Sequence, residues 1–295
     1  MLKLKGCFTA IVTPFKAGKP DLEALKRIID FQAGKGVAGI VPCGSTGEAA
    51  TLSPEEYLAV IKAAVAAAKG RLQVMPGAGT NSTAKSVEMV KKVSALGVDG
   101  LLAIVPYYNK PTQDGLAAHF SEIAAATRLP VVLYNIPGRT GVNMLPATVL
   151  SLRRKFSNIT GIKEASGSLD QVSEIINGAD SGFSVMSGDD SLTLPMMSVG
   201  ARGVISVVSN IAPAETARMC ELFLQGDICG AAELHHTLFP LVKKLFAETN
   251  PIPVKFAASL LGLCSPEPRL PLTPLTAKNR APLRKAMAAA GIGAA

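Results

Sequence analysis

Two signatures that would assign a class early are missing from these 295 residues. There is no C-x-x-C pair. The five cysteines (Cys7, Cys43, Cys220, Cys229 and Cys264) are an odd number and widely spread. That pattern argues against a disulfide framework and against a structural zinc site. There is also no run of about eighteen apolar residues, so no segment reads as a membrane-spanning helix. The opening stretch MLKLKGCFTAIVTPF is short and broken by Pro14, so it reads as a strand and not as a signal peptide. A reduced cytoplasm is the expected compartment. Charge of one sign is not concentrated either. The formal net charge is +8, but the densest basic clusters, RRK at 153–155 and KNRAPLRK at 278–285, follow helical patterns and carry no interleaved aromatics. They read as solvated faces, not as a nucleic-acid stripe. A mildly positive surface favours small anions, and no more than that.

Nearly half the chain is apolar (48%), enough for a large core. Short apolar strands alternate with amphipathic helices. CFTAIVTPF precedes DLEALKRIIDFQAGKG, GIVPCGSTG precedes SPEEYLAVIKAAVAAAKG, and LQVMPGAGT precedes STAKSVEMVKKVSALG. GLLAIVPYY, PVVLYNIP, ITGIKEAS, FSVMSGDDS and GVISVVSNI each precede a further helix. Near-continuous apolar strands mark parallel strands buried on both faces. The helices show three-and-four spacing, as in Leu22, Leu25, Ile28 and Ile29. They start on caps such as SPEE from Ser53 and stop near Gly36, Gly70 and Gly97. Eight such units predict an α/β fold, a (β/α)8 TIM barrel over residues 1–226. An open doubly wound sheet would prefer a glycine-rich phosphate turn after its first strand, and TPFKAGKPD is not one. Residues 227–295 hold three more helical patterns and read as a C-terminal helical extension.

Barrel sites lie at the C-terminal ends of the strands. There the sequence places Ser45 and Thr46 (CGSTGE), Tyr107 and Tyr108 (PYYN), Tyr134 and Arg139 (LYNIPGRTG), Lys163 (GIKEAS) and SGDD from Ser187. Three of only four tyrosines fall in two of these ends. A lysine that ends a strand is usually there because its ammonium seeks water. One that points into an apolar barrel mouth is desolvated, its pKa falls, and the neutral amine can attack a carbonyl to form a Schiff base. The iminium is then an electron sink, and no metal or organic cofactor is required. Alternation along the strand sends Glu164 to the other face. Tyr134 is either a core phenol or a proton shuttle. Ser45 and Thr46 either cap a turn or offer hydroxyls and amides to a carboxylate. Arg139 is either a loop charge or a planar clamp for a carboxylate. Asp189 and Asp190 have no histidine beside them to suggest a metal. His235 and His236, adjacent on a helix, are assigned to structure.

The motifs GSTGEAATLSPEE, PYYNKPTQDGL, LYNIPGRTG, GIKEASG and SGDD…GVISV resemble the 4-hydroxy-tetrahydrodipicolinate synthase (dihydrodipicolinate synthase) family. This family belongs to the pyruvate-dependent class I aldolases, which also include N-acetylneuraminate lyase. The resemblance runs from about Gly6 to the C-terminus. It implies condensation of pyruvate with L-aspartate 4-semialdehyde, on the diaminopimelate route to lysine. Lys163 would form the Schiff base, and Tyr134 would be the acid–base phenol. Ser45 and Tyr108 would complete a hydroxyl relay, Tyr108 coming from a neighbouring subunit. Thr46 would hold the pyruvate carboxylate and Arg139 that of the second substrate, with Gly188 and Ile205 lining the site. A homotetramer, a dimer of tight dimers, is implied. Ser45 stands where the family usually has threonine; GSTGE is commoner in the sialic-acid lyase branch. At the family's allosteric lysine site, Asn81 and Tyr107 are retained, but Lys85 replaces a glutamate and Tyr57 a histidine. Lysine inhibition is therefore expected to be weak or absent. Two alternatives stay open: a pyruvate-releasing lyase for a 2-keto sugar acid, sialic acid or hydroxyproline-derived acid, and a non-catalytic barrel that senses pyruvate-like acids.

Overall fold

The computed structural model describes residues 2–293. Met1, Ala294 and Ala295, at the ends of the N-terminal strand and the C-terminal extension expected above, lie outside the described residues. Eight parallel strands follow one another along the chain: β1 (Gly6–Ala10), β2 (Gly39–Val41), β3 (Gln73–Val74), β4 (Leu101–Ile104), β5 (Val131–Asn135), β6 (Ile159–Glu164), β7 (Ser184–Ser187) and β8 (Gly203–Ser206). Each is followed by a helix, giving α1 (Leu22–Gln32), α2 (Pro54–Ala68), α3 (Thr83–Ser94), α4 (Gln113–Ala125), α5 (Pro146–Lys155), α6 (Leu169–Gly178), α7 (Thr193–Ser198) and α8 (Pro213–Gln225). Beyond Gly226 come α9 (Ile228–Leu245), α10 (Ile252–Leu260) and α11 (Ala277–Ala289). These are the eight units and the three further helices expected from the sequence. β3 is shorter than its apolar pattern suggested. A small antiparallel hairpin, Phe15–Lys16 against Lys19–Pro20, was not expected.

Local chemistry sets these boundaries. The SPEE start of α2 is a full capping box. Ser53 Oγ accepts from Glu56 N, and the Glu56 carboxylate accepts from Ser53 N, with Pro54 at the first helical position. Ser82, Thr112 and Ser168 cap α3, α4 and α6 more simply, each side-chain hydroxyl accepting from one backbone amide of the first turn. Gly36, Gly70 and Gly97 all take positive φ just past helix ends.

The chain forms two compact units. The first contains Met75–Ile205 and the residues before Gly6. Its strands pair in parallel, β4 with β5, β5 with β6, β6 with β7 and β7 with β8. Their apolar side chains form its core: Leu101, Val131, Val132, Leu133, Ile162 and Met186 are all inaccessible to solvent. The second contains Gly6–Val74 and the residues from Ser206 on. There β1 pairs with β2, β2 with β3, and α9 packs against α8 and α11.

One irregularity in the first unit matters for function. Val131 pairs with Ile159, but Val132 pairs with Gly161, so Thr160 is an extra residue in β6. From there the register runs Leu133 with Ile162, Tyr134 with Lys163, and Asn135 with Glu164. A β-bulge of one residue exchanges the faces of everything after it. Without it Tyr134 would stand beside Ile162. Gly161 is required next to the bulge, because a Cβ there would overlap the Ser184 carbonyl oxygen and crowd Leu4.

Candidate active site

Tyr134 and Lys163 are neighbours on adjacent parallel strands and share one face. The Lys163 Nζ lies 4.5 Å from the centre of the Tyr134 ring. Lys163 is 5% exposed and Tyr134 is also buried. Burial lowers the amine's pKa from 10.5 to about 8. The Asp190 charge opposes that shift, and the Arg139 charge adds to it. At neutral pH about a tenth of the amine is then uncharged. Gly188, just after β7, leaves the room that the lysine stem occupies. A Cβ at Gly188 would sit 3.1 Å from both Cε and Cγ of Lys163 and 2.8 Å from the Ala165 Cβ. The backbone cannot move away, because Gly188 N donates to the Glu164 carbonyl at 2.8 Å. Ile205 is buried in β8.

Arg139 stands exposed on a single helical turn, Pro137–Thr140, that follows β5 directly. Thr140 closes this turn by donating from Oγ1 to the carbonyls of Ile136 (3.1 Å) and Val142 (2.9 Å). After β4 the chain turns sharply. Tyr108 is 89% exposed at φ +75, and Lys110 also has positive φ. Tyr107 is partly exposed. Asn81 accepts from Asn109 through its backbone carbonyl, and Lys85 is exposed in the first turn of α3. Glu164 faces away from Lys163, as alternation required. It is buried among amide side chains instead of neutralising the amine.

The effect of Asp190 on Lys163 is not legible in the sequence, where SGDD shows only a strand end without a histidine to suggest a metal. Asp189 in fact caps its own turn, accepting from Ser191 N and Oγ. Among the described residues no cluster of His, Cys, Asp and Glu is placed to hold a metal ion. His235 and His236 meet edge to face with ring centres 5.4 Å apart, and His235 lies against Phe239. They belong to the packing of α9.

In the second unit, the turn after β2 carries Ser45 and Thr46. Ser45 is half-buried and its carbonyl accepts from Glu48 N at 3.1 Å. Thr46 is buried, and its Oγ1 accepts from Asn250 Nδ2 at 2.9 Å. Thr13 Oγ1 donates to the Gly47 carbonyl at 2.7 Å. Glu48, in a left-handed conformation, forms a fully buried ion pair of 2.6 Å with Lys255 of α10. Its second carboxylate oxygen accepts from Arg269 N at 2.9 Å. Lys255 Nζ also sits 4.2 Å from the centre of the Phe15 ring. The turn that bears the two hydroxyls is therefore tied to the C-terminal helices. Asn250 and Lys255 lie in TNPIPVK, which has no strand-end pattern to expose it. Tyr57 is buried in α2, and burial pushes its phenol pKa up.

The profile of the dihydrodipicolinate synthetase family matches residues 3–290 of the chain. The chain belongs to that family. A relative from Oleidesulfovibrio alaskensis, called 4-hydroxy-tetrahydrodipicolinate synthase, is 50% identical over 99% of this chain and 100% of its own. The dihydrodipicolinate synthase of Aquifex aeolicus superimposes with a TM-score of 0.96 at 45% identity, over 98% of this chain and 99% of that one. That of Acinetobacter baumannii, solved in complex with pyruvate, superimposes with a TM-score of 0.95 at 42% identity, over 98% and 100%. The fold is therefore the (β/α)8 barrel with C-terminal helices that the sequence predicted. As a member of the dihydrodipicolinate synthetase family the chain is an enzyme, a lyase of the class I aldolase type.

Proposed function

We propose that this enzyme joins pyruvate to L-aspartate 4-semialdehyde, giving 4-hydroxy-tetrahydrodipicolinate, with Lys163 as nucleophile. The neutral amine attacks the keto carbon, and the carbinolamine loses water as Tyr134 delivers the proton. The iminium gives up a methyl proton to become an enamine, whose carbon attacks the aldehyde. The amino group of the second substrate then displaces Lys163 as the ring closes, which returns the free amine. Ser45 and Tyr108 relay protons with Tyr134, Thr46 holds the pyruvate carboxylate, and Arg139 holds that of the aldehyde. Gly188 and Ile205 line the site. The single observation that carries this reading is the buried Lys163 amine against the Tyr134 ring, with a pKa near 8.

Tyr108 serves the site of a neighbouring copy, within a tetramer built as a dimer of tight dimers. The exposure of its phenol and its left-handed backbone support that role. The enzyme works in the cytoplasm; among the described residues no helix is long and apolar enough to cross a membrane. Residues 1–226 form the catalytic barrel and 227–295 an extension. The left-handed Gly226 and the Asp227 cap of α9 support that division. Lysine inhibits weakly or not at all, since the exposed Lys85 cation repels the effector's ammonium. Strong suppression by low-millimolar lysine overturns that last statement.

Borohydride reduction with pyruvate should attach one pyruvate-sized adduct, mapping to Lys163. A chain that only senses keto acids gains none. Product analysis with pyruvate and a panel of aldehydes then separates the synthase from a lyase for sialic or other 2-keto acids. Preference for a polyol aldehyde over L-aspartate 4-semialdehyde would move the assignment to that branch.

A further inference from the structure

Across β6 from Lys163 lies a buried polar cluster that the proposed chemistry does not use. The Glu164 carboxylate accepts from Ser166 N (2.6 Å), Gln171 Nε2 (3.0 Å) and Asn135 Nδ2 (3.0 Å). Asn135 neighbours Tyr134 on β5, just as Glu164 neighbours Lys163 on β6. From Asn135 and Gln171 the network reaches the segment that follows the Arg139 turn. Asn135 Nδ2 donates to Asn143 Oδ1 at 2.7 Å, and Asn135 Oδ1 accepts from Met144 N at 3.0 Å. Asn143 Nδ2 donates to Gln171 Oε1 at 2.8 Å. From α4, Gln113 Nε2 donates to the Asn143 carbonyl at 2.8 Å, and Gln113 Oε1 accepts from Leu145 N at 3.1 Å.

Burying the Asn135 and Gln171 amides with the Glu164 carboxylate is costly unless each finds partners, and a satisfied network, here completed by the half-buried Asn143 and Gln113, admits one arrangement of the elements that share it. This one joins the strand ends that bear Tyr134 and Lys163 to α4, α6 and residues 143–145. Thr140, through Val142, joins that segment to the Arg139 turn. A clamp on a loop is accurate only if what lies behind it is rigid, and an ångström of slack at a binding group costs heavily in rate.

We propose that Asn143, held by Asn135, Gln171 and Gln113, is a positioning residue that fixes the Arg139 turn relative to Lys163 and so sets selectivity for a second substrate carrying a carboxylate. This rests on the role of Arg139 proposed above. The test divides the reaction in two. In an Asn143→Ala variant, borohydride-trapped pyruvate at Lys163 should form within twofold of the parent's rate, while KM for L-aspartate 4-semialdehyde should rise tenfold or more. Gln113→Ala, which frees the same segment from the other side, should show the same split. Loss of folded structure alone would lower adduct formation and turnover in step, and that result overturns the proposal. So does a KM within twofold of the parent's in both variants. If the parent traps pyruvate and the variants show no split, only this inference fails. If the parent traps none, the reading of Lys163 fails and this one with it.

Discussion

Replacing Lys163 by methionine should abolish turnover and at the same time stabilise the protein. A buried ammonium is held at a cost, and that cost can be worked from its pKa. The gap between 10.5 and about 8 corresponds, at ~1.36 kcal/mol per pH unit, to about 3 kcal/mol. This figure is net of the attraction from Asp190. Methionine keeps a similar stem and a favourable sulfur–aromatic contact with Tyr134, so little packing is lost. The pH dependence identifies the cause. Well below pH 8 the amine is protonated in both folded and unfolded chains, and the whole cost is present. Between pH 8 and 10.5 the folded amine is neutral while the unfolded chain still binds the proton, so the parent gains stability as pH rises. The advantage of Lys163→Met in urea denaturation should thus be about 3 kcal/mol at pH 7 and shrink to about 1 kcal/mol near pH 10. A variant less stable than the parent at pH 7, or an advantage that does not change with pH, would refute the reasoning.

Other perturbations test other parts of the structure. Gly188→Ala drives a methyl group against Lys163 and Ala165 in a strand end that cannot retreat; kcat should fall at least tenfold, with about 1–3 kcal/mol lost from stability. In the parent, the rate of pyruvate capture should rise about tenfold per pH unit below pH 8 and level off above it, following the neutral amine; a flat profile between pH 6 and 8 contradicts the pKa assigned to Lys163. Glu48→Ala leaves Lys255 buried without its counter-charge and should cost about 3–5 kcal/mol in guanidinium denaturation. Adding Lys255→Met to that variant should recover most of the loss, and failure to recover it means the pair's charges are not what matters.

Much of the fold could be read from the chain because it follows from local periodicity. Apolar runs such as VVLYN and GLLAI, short and alternating with helical patterns, read as parallel strands buried on both faces. Capping residues at Ser53, Ser82, Thr112 and Ser168 start the following helices through their own hydrogen bonds. Lys163, Tyr134 and Arg139 were visible because each sits at a strand end. Asp190, Asn143, Gln171, Asn250 and Lys255 were not. Each has a partner on another element, 28 positions away for Asn143 with Gln171, 204 for Asn250 with Thr46 and 207 for Lys255 with Glu48, and no short pattern encodes such a pairing.

The sequence by itself determined the class of fold and which side chains could carry an imine mechanism, because alternation and capping act over a few neighbouring residues; its strand-end motifs carried the resemblance to the family. It assigned Lys163 to one face of its strand and Glu164 to the other. Only the tertiary structure decided which residue of the next strand stands beside that lysine. Register between strands depends on a long-range fit, and one extra residue at Thr160 exchanges every pairing after it. That bulge, with Gly161 making room for Ser184, puts a phenol beside the amine where an isoleucine would otherwise stand.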